Sequence, residues 1–500
     1  MDEMLSTPAL QRNECAEVCV VGAGIAGMTT AYLLAREGRS VLVLDDGPIG
    51  GGETGRTTAH LSNALDDRYS ELERLFGTEG ARLAAESHTA AIDLIEQIVC
   101  EEKIECDFER VDGYLFVPPD ESSETLEDEL EAARRAGLRD VQWVDRAPLA
   151  DFDTGRCLRF PRQGQFAPLK YLGGLARAIQ RDGGRIHTST HAEEVRGGSP
   201  ACVRTSGGPI VNAAALVLAT NSPVNDLLSL SAKQHAYRTY VIGAEVPRGS
   251  VTKALYWDTP DPYHYVRLQS GGHEVGEGYA TEDILIVGGE DHKAGEEDDG
   301  DEHFAELYRW TKRRFPMMGK VAYQWSGHIM EPSDSLAFIG RYPGDAANIF
   351  VATGDSGHGI THGTIAGMLL TDLIQGRPNA WANLYDPSRL VANAALDYVR
   401  DNANVLAHYT DWLTGGEVGS ADAIKRGEGC ILRRGLMKIA AYRDENGALH
   451  ERQAYCKHLG CVVAWNSTEK SWDCPCHGSR FDARGRVING PAISNLAVAD

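Results

Sequence analysis

Apolar and polar positions along the chain alternate between two rhythms. Residues 18–21 form a short apolar run before a glycine-rich turn, 28–36 are good helix formers, and 40–44 return to Val and Leu. That order predicts one strand–turn–helix–strand unit over 17–46. Farther on, 125–136 reads as a charged amphipathic helix ended by Gly137, and 169–180 as a helix stopped by Gly183-Gly184. Residues 213–219 read as an apolar strand, and 251–269, rich in Tyr and Trp, as sheet. A strand over 349–353 runs into a second glycine-rich turn and a helix over 364–374. A longer helix over 390–413 follows Pro387, Gly415-Gly416 marks a linker, and the remainder reads as a short-stranded β domain. The acid-dense stretch 289–303 matches no EF-hand spacing, so it reads as a solvated loop rather than a metal loop.

Length changes this picture first, because 500 residues exceed one compact core and imply two to four domains. The apolar share of 42% and charged share of 24% are ordinary for a soluble globular chain. Lys and Arg total 49 against 72 Asp and Glu, a formal net charge of −23. Such a surface repels phosphate backbones and anionic headgroups, which argues against nucleic acid or a membrane surface as a general partner. No window approaches the roughly 18 apolar residues of a membrane span. The polar start, 1–14, has no signal-peptide pattern, so a cytoplasmic location is expected. Seven of the 11 cysteines are scattered, whereas four crowd into the last 50 residues, which calls for a chemical reason.

That reason is local. Cys456-Lys457-His458-Leu459-Gly460-Cys461 is followed by Cys474-Pro475-Cys476-His477-Gly478-Ser479. Each segment offers one thiolate and one imidazole, Cys456 with His458 and Cys474 with His477. A mixed-ligand [2Fe–2S] centre needs two thiolates on one iron and two imidazoles on the other. Tetrahedral zinc could take the same four donors, but it leaves unexplained a further cysteine in each loop and the pair Gly478-Ser479. Over 415–500 the chain resembles the Rieske proteins of the cytochrome bc type. The resemblance implies that Cys456 and Cys474 bind one iron and His458 and His477 the other. It also implies a Cys461–Cys476 disulfide, a Ser479 hydrogen bond to a bridging sulfide, and a proline loop at Gly490-Pro491-Ala492. High-potential members carry a tyrosine two residues after the serine; here that position is Phe481. Without that hydroxyl the more negative reduced cluster is less stabilised, so a redox titration is expected to give a potential below those of the respiratory proteins.

Val20-Val21-Gly22-Ala23-Gly24-Ile25-Ala26-Gly27 is a G-x-G-x-x-G turn between a strand and a helix, and Asp45 ends the next strand. The glycines (Gly22, Gly24, Gly27) allow a pyrophosphate to approach the helix N-terminus, and the acid can take a ribose hydroxyl. NAD and FAD share this motif. Gly51-Gly52-Glu53-Thr54-Gly55-Arg56-Thr57-Thr58-Ala59-His60 and Thr353-Gly354-Asp355-Ser356-Gly357-His358-Gly359-Ile360 distinguish them. Together these segments resemble the D-amino-acid-oxidase-like flavoproteins, which include glycine, sarcosine and gamma-glutamylputrescine oxidases, over 15–395. The resemblance implies FAD held by Gly22, Gly24, Gly27, Asp45, Thr58, Ala59, Val195 near the adenine, Gly354, Gly357 and Gly359. It implies an α/β Rossmann-like FAD-binding domain, discontinuous over 15–80, 150–232 and 335–395, and an α+β substrate domain over 81–149 and 233–334. A helical linker, 396–414, and an all-β Rieske domain, 415–500, complete the chain.

Family members take a hydride from a carbon beside an amine nitrogen, which is largely a matter of positioning. Their carboxylate-binding arginine falls in a G-x-R-P segment, where this chain has Gly327-His328-Ile329-Met330, with Ile329 at the arginine position. A small amine-like substrate is therefore expected, without α-carboxylate recognition at that site. Candidate polar groups are Tyr265, Arg267, His328 and His60. Tyr263, Tyr265 and Arg267 share one side of a predicted strand, as a substrate-facing row or a packing surface. His60 is expected to pack on or hydrogen-bond the flavin. The fusion favours a dehydrogenase that passes electrons through the cluster to an external acceptor, a redox protein or a quinone. An oxygen-using oxidase with a structural or sensing cluster, and a non-catalytic electron carrier, are the alternatives. A Rieske oxygenase is not expected, because about 20 residues after His477 leave no space for its mononuclear iron domain.

Overall fold

The computed structural model describes residues 6–118, 122–222, 224, 230–271, 274–275, 278–279, 282–296, 298–344 and 347–499. The apolar runs that begin the chain build a parallel sheet. Its main order is Phe338–Arg341, Ile349–Thr353, Ile210–Asn221, Glu14–Val21, Val41–Leu44 and Arg185–His187, parallel except for the first strand, and Ala201–Thr205 and Ala192–Arg196 add an antiparallel extension to Ile210–Asn221. Every residue of Val41–Leu44 and of Ile349–Thr353 is buried, as expected of strands covered on both faces. The helix Ile25–Arg36 packs between Gly359–Ile374 and Pro168–Arg181 on one face.

A second, nine-stranded mixed sheet carries the other half of the body. Its edge strand Val321–Pro332 pairs antiparallel with Gln234–Pro247, followed by Glu282–Lys293, His264–Gln269 and Leu255–Asp258. Helix Gly300–Arg314 covers it, inserting Phe304, Leu307 and Trp310 into the core. A 34-residue helix, Tyr69–Glu102, kinked at Gly77, packs against Glu124–Arg135 and Gly359–Ile374.

Several sequence expectations shift. The helix expected from 364 starts at Gly359, and the one expected over 390–413 is an α-helix, Ala395–His408, closed by a 3-10 turn, Tyr409–Leu413. The sheet over 251–269 resolves into two strands, Leu255–Asp258 and His264–Gln269. The acidic stretch 289–303 is not a solvated loop throughout: the strand continues to Lys293 and the helix begins at Gly300. Within it Glu297 lies outside the described residues, and Asp298 accepts the Ser467 amide at 2.6 Å.

The last segment holds two small antiparallel sheets. The first is Glu428–Arg434, Met437–Arg443 and Leu449–Gln453, and the second is Ala464–Asn466, Ser471–Asp473, Arg480–Asp482 and Val487–Asn489. Trp465, Trp472 and Phe481 fill their core with Val405 of the linker helix. Tyr409 and Trp412 donate to the carbonyls of Leu459 and Gly460, tying the linker to the first Cys–His loop. Among the described residues no helix is long and apolar enough to cross a membrane.

Candidate active site

The first glycine turn is a cradle. Gly22 has φ 110°, and a Cβ there would lie 2.2 Å from the Ala219 carbonyl oxygen; one at Gly27 would lie 1.9 Å from that of Gly22. Only hydrogen fits at either place, so the chain turns tightly into a helix whose N-cap, Gly24, offers no side chain, and Thr54 Oγ1 accepts only the first amide, that of Ile25, at 3.1 Å. Asp45 accepts the amides of Ala23 at 2.6 Å and Gly47 at 2.8 Å. Each carboxylate oxygen keeps capacity for a ribose hydroxyl. Burial pushes this carboxyl up to about 6, with both amides pulling it down.

A cavity of about 470 Å³ runs from this turn to the second sheet. Of the expected flavin residues, Gly22, Gly24, Asp45, Thr58, Gly357 and Gly359 line it. Gly27 supports the turn from beneath, Ala59 is buried behind Thr58, Gly354 packs on Pro332, and Val195 lies past the lining residue Ala192. The Asn221 amide nitrogen is a buried donor without a partner beside the cradle, as a site shaped for a polar ligand would leave it. The cradle, the helix N-terminus behind it and Asp45 fit a dinucleotide such as FAD.

Tyr265, His60 and His328 also line the cavity, together with Tyr263, Trp257 and Thr239. Tyr265 shares a hydrogen bond with Thr239 at 2.8 Å, and His60 meets the Tyr265 ring edge-on at 5.5 Å. Burial, then the Arg267 charge, lowers His60 to about 3, so this imidazole is neutral. Arg267 does not line the cavity; it donates to the Thr58 carbonyl and to Gln269, beneath the lining. Of the Tyr263–Tyr265–Arg267 row, then, only the tyrosines reach the open space. Ile329, at the family's arginine position, lines it with an aliphatic side chain.

Sequence reasoning missed a buried acidic wall. Asp66 and Asp355 line the cavity, with Asp67 and Glu331 behind them. Ser356 Oγ lies 3.1 Å from Asp67 and 2.8 Å from Glu331. A hydroxyl donates one proton, so one of the two carboxyls must be protonated and donate to it. Burial agrees, pushing Asp67 and Asp355 up to about 6 and Glu331 well above its ordinary value. His358, in the second glycine-rich turn, accepts the Asp66 amide at Nε2 (3.0 Å), with the Asp66 carboxylate 3.4 Å from the same nitrogen. Burial alone would lower its pKa, but Asp66, Asp67 and Asp355 raise it. Asp66 also accepts the Tyr263 hydroxyl at 2.9 Å. The adjacent pair Asp66-Asp67 was the available signal, but nothing local marks it as buried.

The last domain presents its two Cys–His loops alike. Gly460 donates to the Cys456 carbonyl and Gly478 to that of Cys474, each at 3.0 Å. Cys461 and Cys476 are joined in a disulfide, which leaves Cys456 and Cys474 as buried free thiols. The grouping of Cys461, Cys474 and Cys476 is therefore no three-thiolate metal site. The His458 and His477 rings stand 5.0 Å apart at 90°. Two thiols and two imidazoles on opposed loops fit a Rieske centre. Ser479 Oγ accepts the Ala492 amide at 3.0 Å, which frees its own proton for another acceptor.

These loops are docked on the body. Arg238 pairs with Asp473 at 2.6 Å, Arg56 with Glu469 at 3.2 Å, and Asn489 donates to Glu53 at 3.2 Å. Residues Val487, Ile488, Asn489, Gly490, Ala492 and Ile493 line the same cavity as the glycine cradle.

The family FAD dependent oxidoreductase (DAO) matches residues 17–373, and the Rieske [2Fe-2S] domain matches 416–500. A Bacillus subtilis (strain 168) protein described as "Putative Rieske 2Fe-2S iron-sulfur protein YhfW" is 32% identical over all of this chain and 96% of its own. The gamma-glutamylputrescine oxidoreductase of Escherichia coli (strain K12) is 28% identical over 74% of this chain and 86% of its own. In fold, the glycine oxidase of Geobacillus kaustophilus superposes with a TM-score of 0.62 at 19% identity, over 76% of this chain and all of its own. The chain belongs to the DAO family of FAD-dependent oxidoreductases and carries a C-terminal Rieske [2Fe–2S] domain.

Proposed function

We propose that the protein oxidises a small amine, releasing two electrons and two protons to leave an imine, and delivers the electrons through FAD and the Rieske cluster to an external one-electron acceptor. One observation carries this reading: the Rieske segment 487–493 and the flavin-binding turns line one cavity. FAD when bound supplies hydride acceptance, and the cluster supplies one-electron transfer. By this reading Cys456, Cys474, His458 and His477 hold the cluster, and Gly22, Gly24, Asp45, Thr58, Gly357 and Gly359 surround the dinucleotide.

The substrate class follows from the wall. The carboxyls of Asp66 and Asp355 on the cavity wall favour a cation, and Tyr263 and Tyr265 add aromatic lining beside them. Among the described lining residues the only Arg or Lys is Arg56, already held by Glu469 and the Ser326 carbonyl. That suits an amine without a carboxylate near the reacting carbon, as in the gamma-glutamylputrescine enzyme's class rather than glycine's. The acceptor is a redox protein or a quinone, and a cytoplasmic location is part of the proposal.

Anaerobic mixing with amines, N-methyl compounds and amino acids, followed by absorbance and EPR, tests the reading. Bleaching of the flavin by an amine, then a reduced Rieske signal, is expected. Flavin bleaching with the cluster left oxidised would replace the relay with an oxidase. No reduction by any small molecule would favour a protein-driven carrier.

A further inference from the structure

The edge strand Val321–Pro332 borders both the cavity, through Gly327, His328 and Ile329, and the Rieske loop at Gly478. In its register with Gln234–Pro247, Arg238 is directly opposite His328 and Ala236 opposite Met330. Directly opposed residues share a face, so Ala236, Arg238, Ser326 and His328 form one surface. The loop Cys474–Ser479 sits on it. At Gly478, which has φ 76°, a Cβ would lie 2.3 Å from that of Ala236 and 2.9 and 3.1 Å from Nε2 and Cε1 of His328. The imidazole thus rests on the backbone between the expected ligand His477 and Ser479, a contact any side chain at 478 would prevent.

We propose that His328 is the bridging residue through which electrons cross from the flavin cavity to the cluster loop. The residue lines the cavity, while its ring touches Gly478. Its position is fixed from both domains. Its amide donates to Glu53 at 2.8 Å, and the other oxygen of Glu53 accepts from Asn489. On the opposed strand, Arg238 holds Asp473, the residue before Cys474.

The ring itself calls for an explanation. It is 2% exposed, and neither nitrogen has a hydrogen-bond partner among the described residues. A buried imidazole with unpaired nitrogens is costlier than an aliphatic side chain of similar volume. As a packing element alone, leucine would serve better. As a conjugated ring against the Gly478 backbone of the cluster loop, it offers a polarisable path that an aliphatic side chain filling the same space would not. Burial, then the charges of Arg480 and Arg238, keeps the ring neutral with a pKa lowered to about 3. The ring gains and loses no proton in the transfer. With both groups bound, His328 would pass the two electrons one at a time, the external acceptor taking each before the next arrives.

This inference rests on the relay reading, and one experiment separates the two. The full-length holoprotein and its H328L and H328F variants are photoreduced, and equilibration between the flavin and cluster absorbances is timed. Both midpoint potentials, flavin content and cluster EPR are measured alongside. In H328L the transfer is expected to slow at least about tenfold, equivalent to about 1.4 kcal/mol, with potentials, flavin content and EPR unchanged. H328F, which restores a ring, should recover most of the rate. If the wild-type cluster never accepts electrons from flavin, the relay itself fails. If wild type relays and H328L relays equally fast, the bridge is overturned, and the proline loop, tied to Ser479 through the Ala492 amide, is the path instead.

Discussion

Two neighbouring stretches of the strand Val321–Pro332, one at its middle and one towards its C-terminal end, meet different charge environments. Near Ser326 and His328, Arg56, Arg238 and Arg480 interleave with Glu469 and Asp473, and Arg238 and Asp473 are each 1% exposed. Ser326 completes this network by hydrogen-bonding Arg238 at 2.7 Å and Glu469 at 2.8 Å. Near Met330 and Glu331, four acids, Asp66, Asp67, Glu331 and Asp355, surround one histidine, His358. The first stretch is a neutralised, sealed dock, whereas the second keeps an excess of negative potential and must bind protons or a cation. A domain interface and a cation pocket can therefore share one strand, separated by a single repeat of its pleat.

If that contrast is right, the two stretches should break differently. The largest effect is expected from R238M, which leaves Asp473 buried without its closest cation. Removing one partner of such a pair costs about 3–5 kcal/mol. Denaturant unfolding should show that loss. At the other stretch, D66N keeps the volume but removes a charge that, on the proposed reading, meets the amine. Charged hydrogen bonds are worth about 1.5–3 kcal/mol, so kcat/KM for an amine should fall about 10- to 100-fold with flavin content preserved. Stability loss without the kinetic defect would show that Asp66 is structural.

The smallest effect is a pH dependence. The folded pKa of His358 is raised by Asp66, Asp67 and Asp355, against burial and in the company of His88 and His362. Its contribution to stability is therefore complete below the unfolded value, about 6.5, and is lost as pH rises through the higher folded value. Thermal unfolding of wild type and H358Q should differ most in mild acid and converge as the pH is raised. A difference that grows with pH would mean that the pair with Asp66 does not hold.

Much of this site was legible because it is local. Cys456, His458, Cys474 and His477 lie in two short segments, and their chemistry depends on spacing alone. The G-x-G-x-x-G turn is equally self-contained. Other elements escaped because packing overrides propensity. The start of the Gly359–Ile374 helix is rich in glycine, but Gly363 and Gly367 let it lie against Ile25, Ala26 and Thr29 of the first helix. The helix Tyr69–Glu102, interrupted by Gly77 and studded with charge, is organised by the buried stripe that includes Leu72, Ala84, His88 and Ile95.

Residue type at short spacing was enough to single out the candidate donor set of the cluster and the dinucleotide turn, and the family resemblance to mark Ile329 at the arginine position. Folding in three dimensions was needed to bring Asp66 to Asp355 and Glu331, the latter 265 residues away along the chain, and to lay Gly478 on His328. Contacts between distant segments depend on how two sheets and a docked domain bury their surfaces together, and no short stretch of chain contains that information.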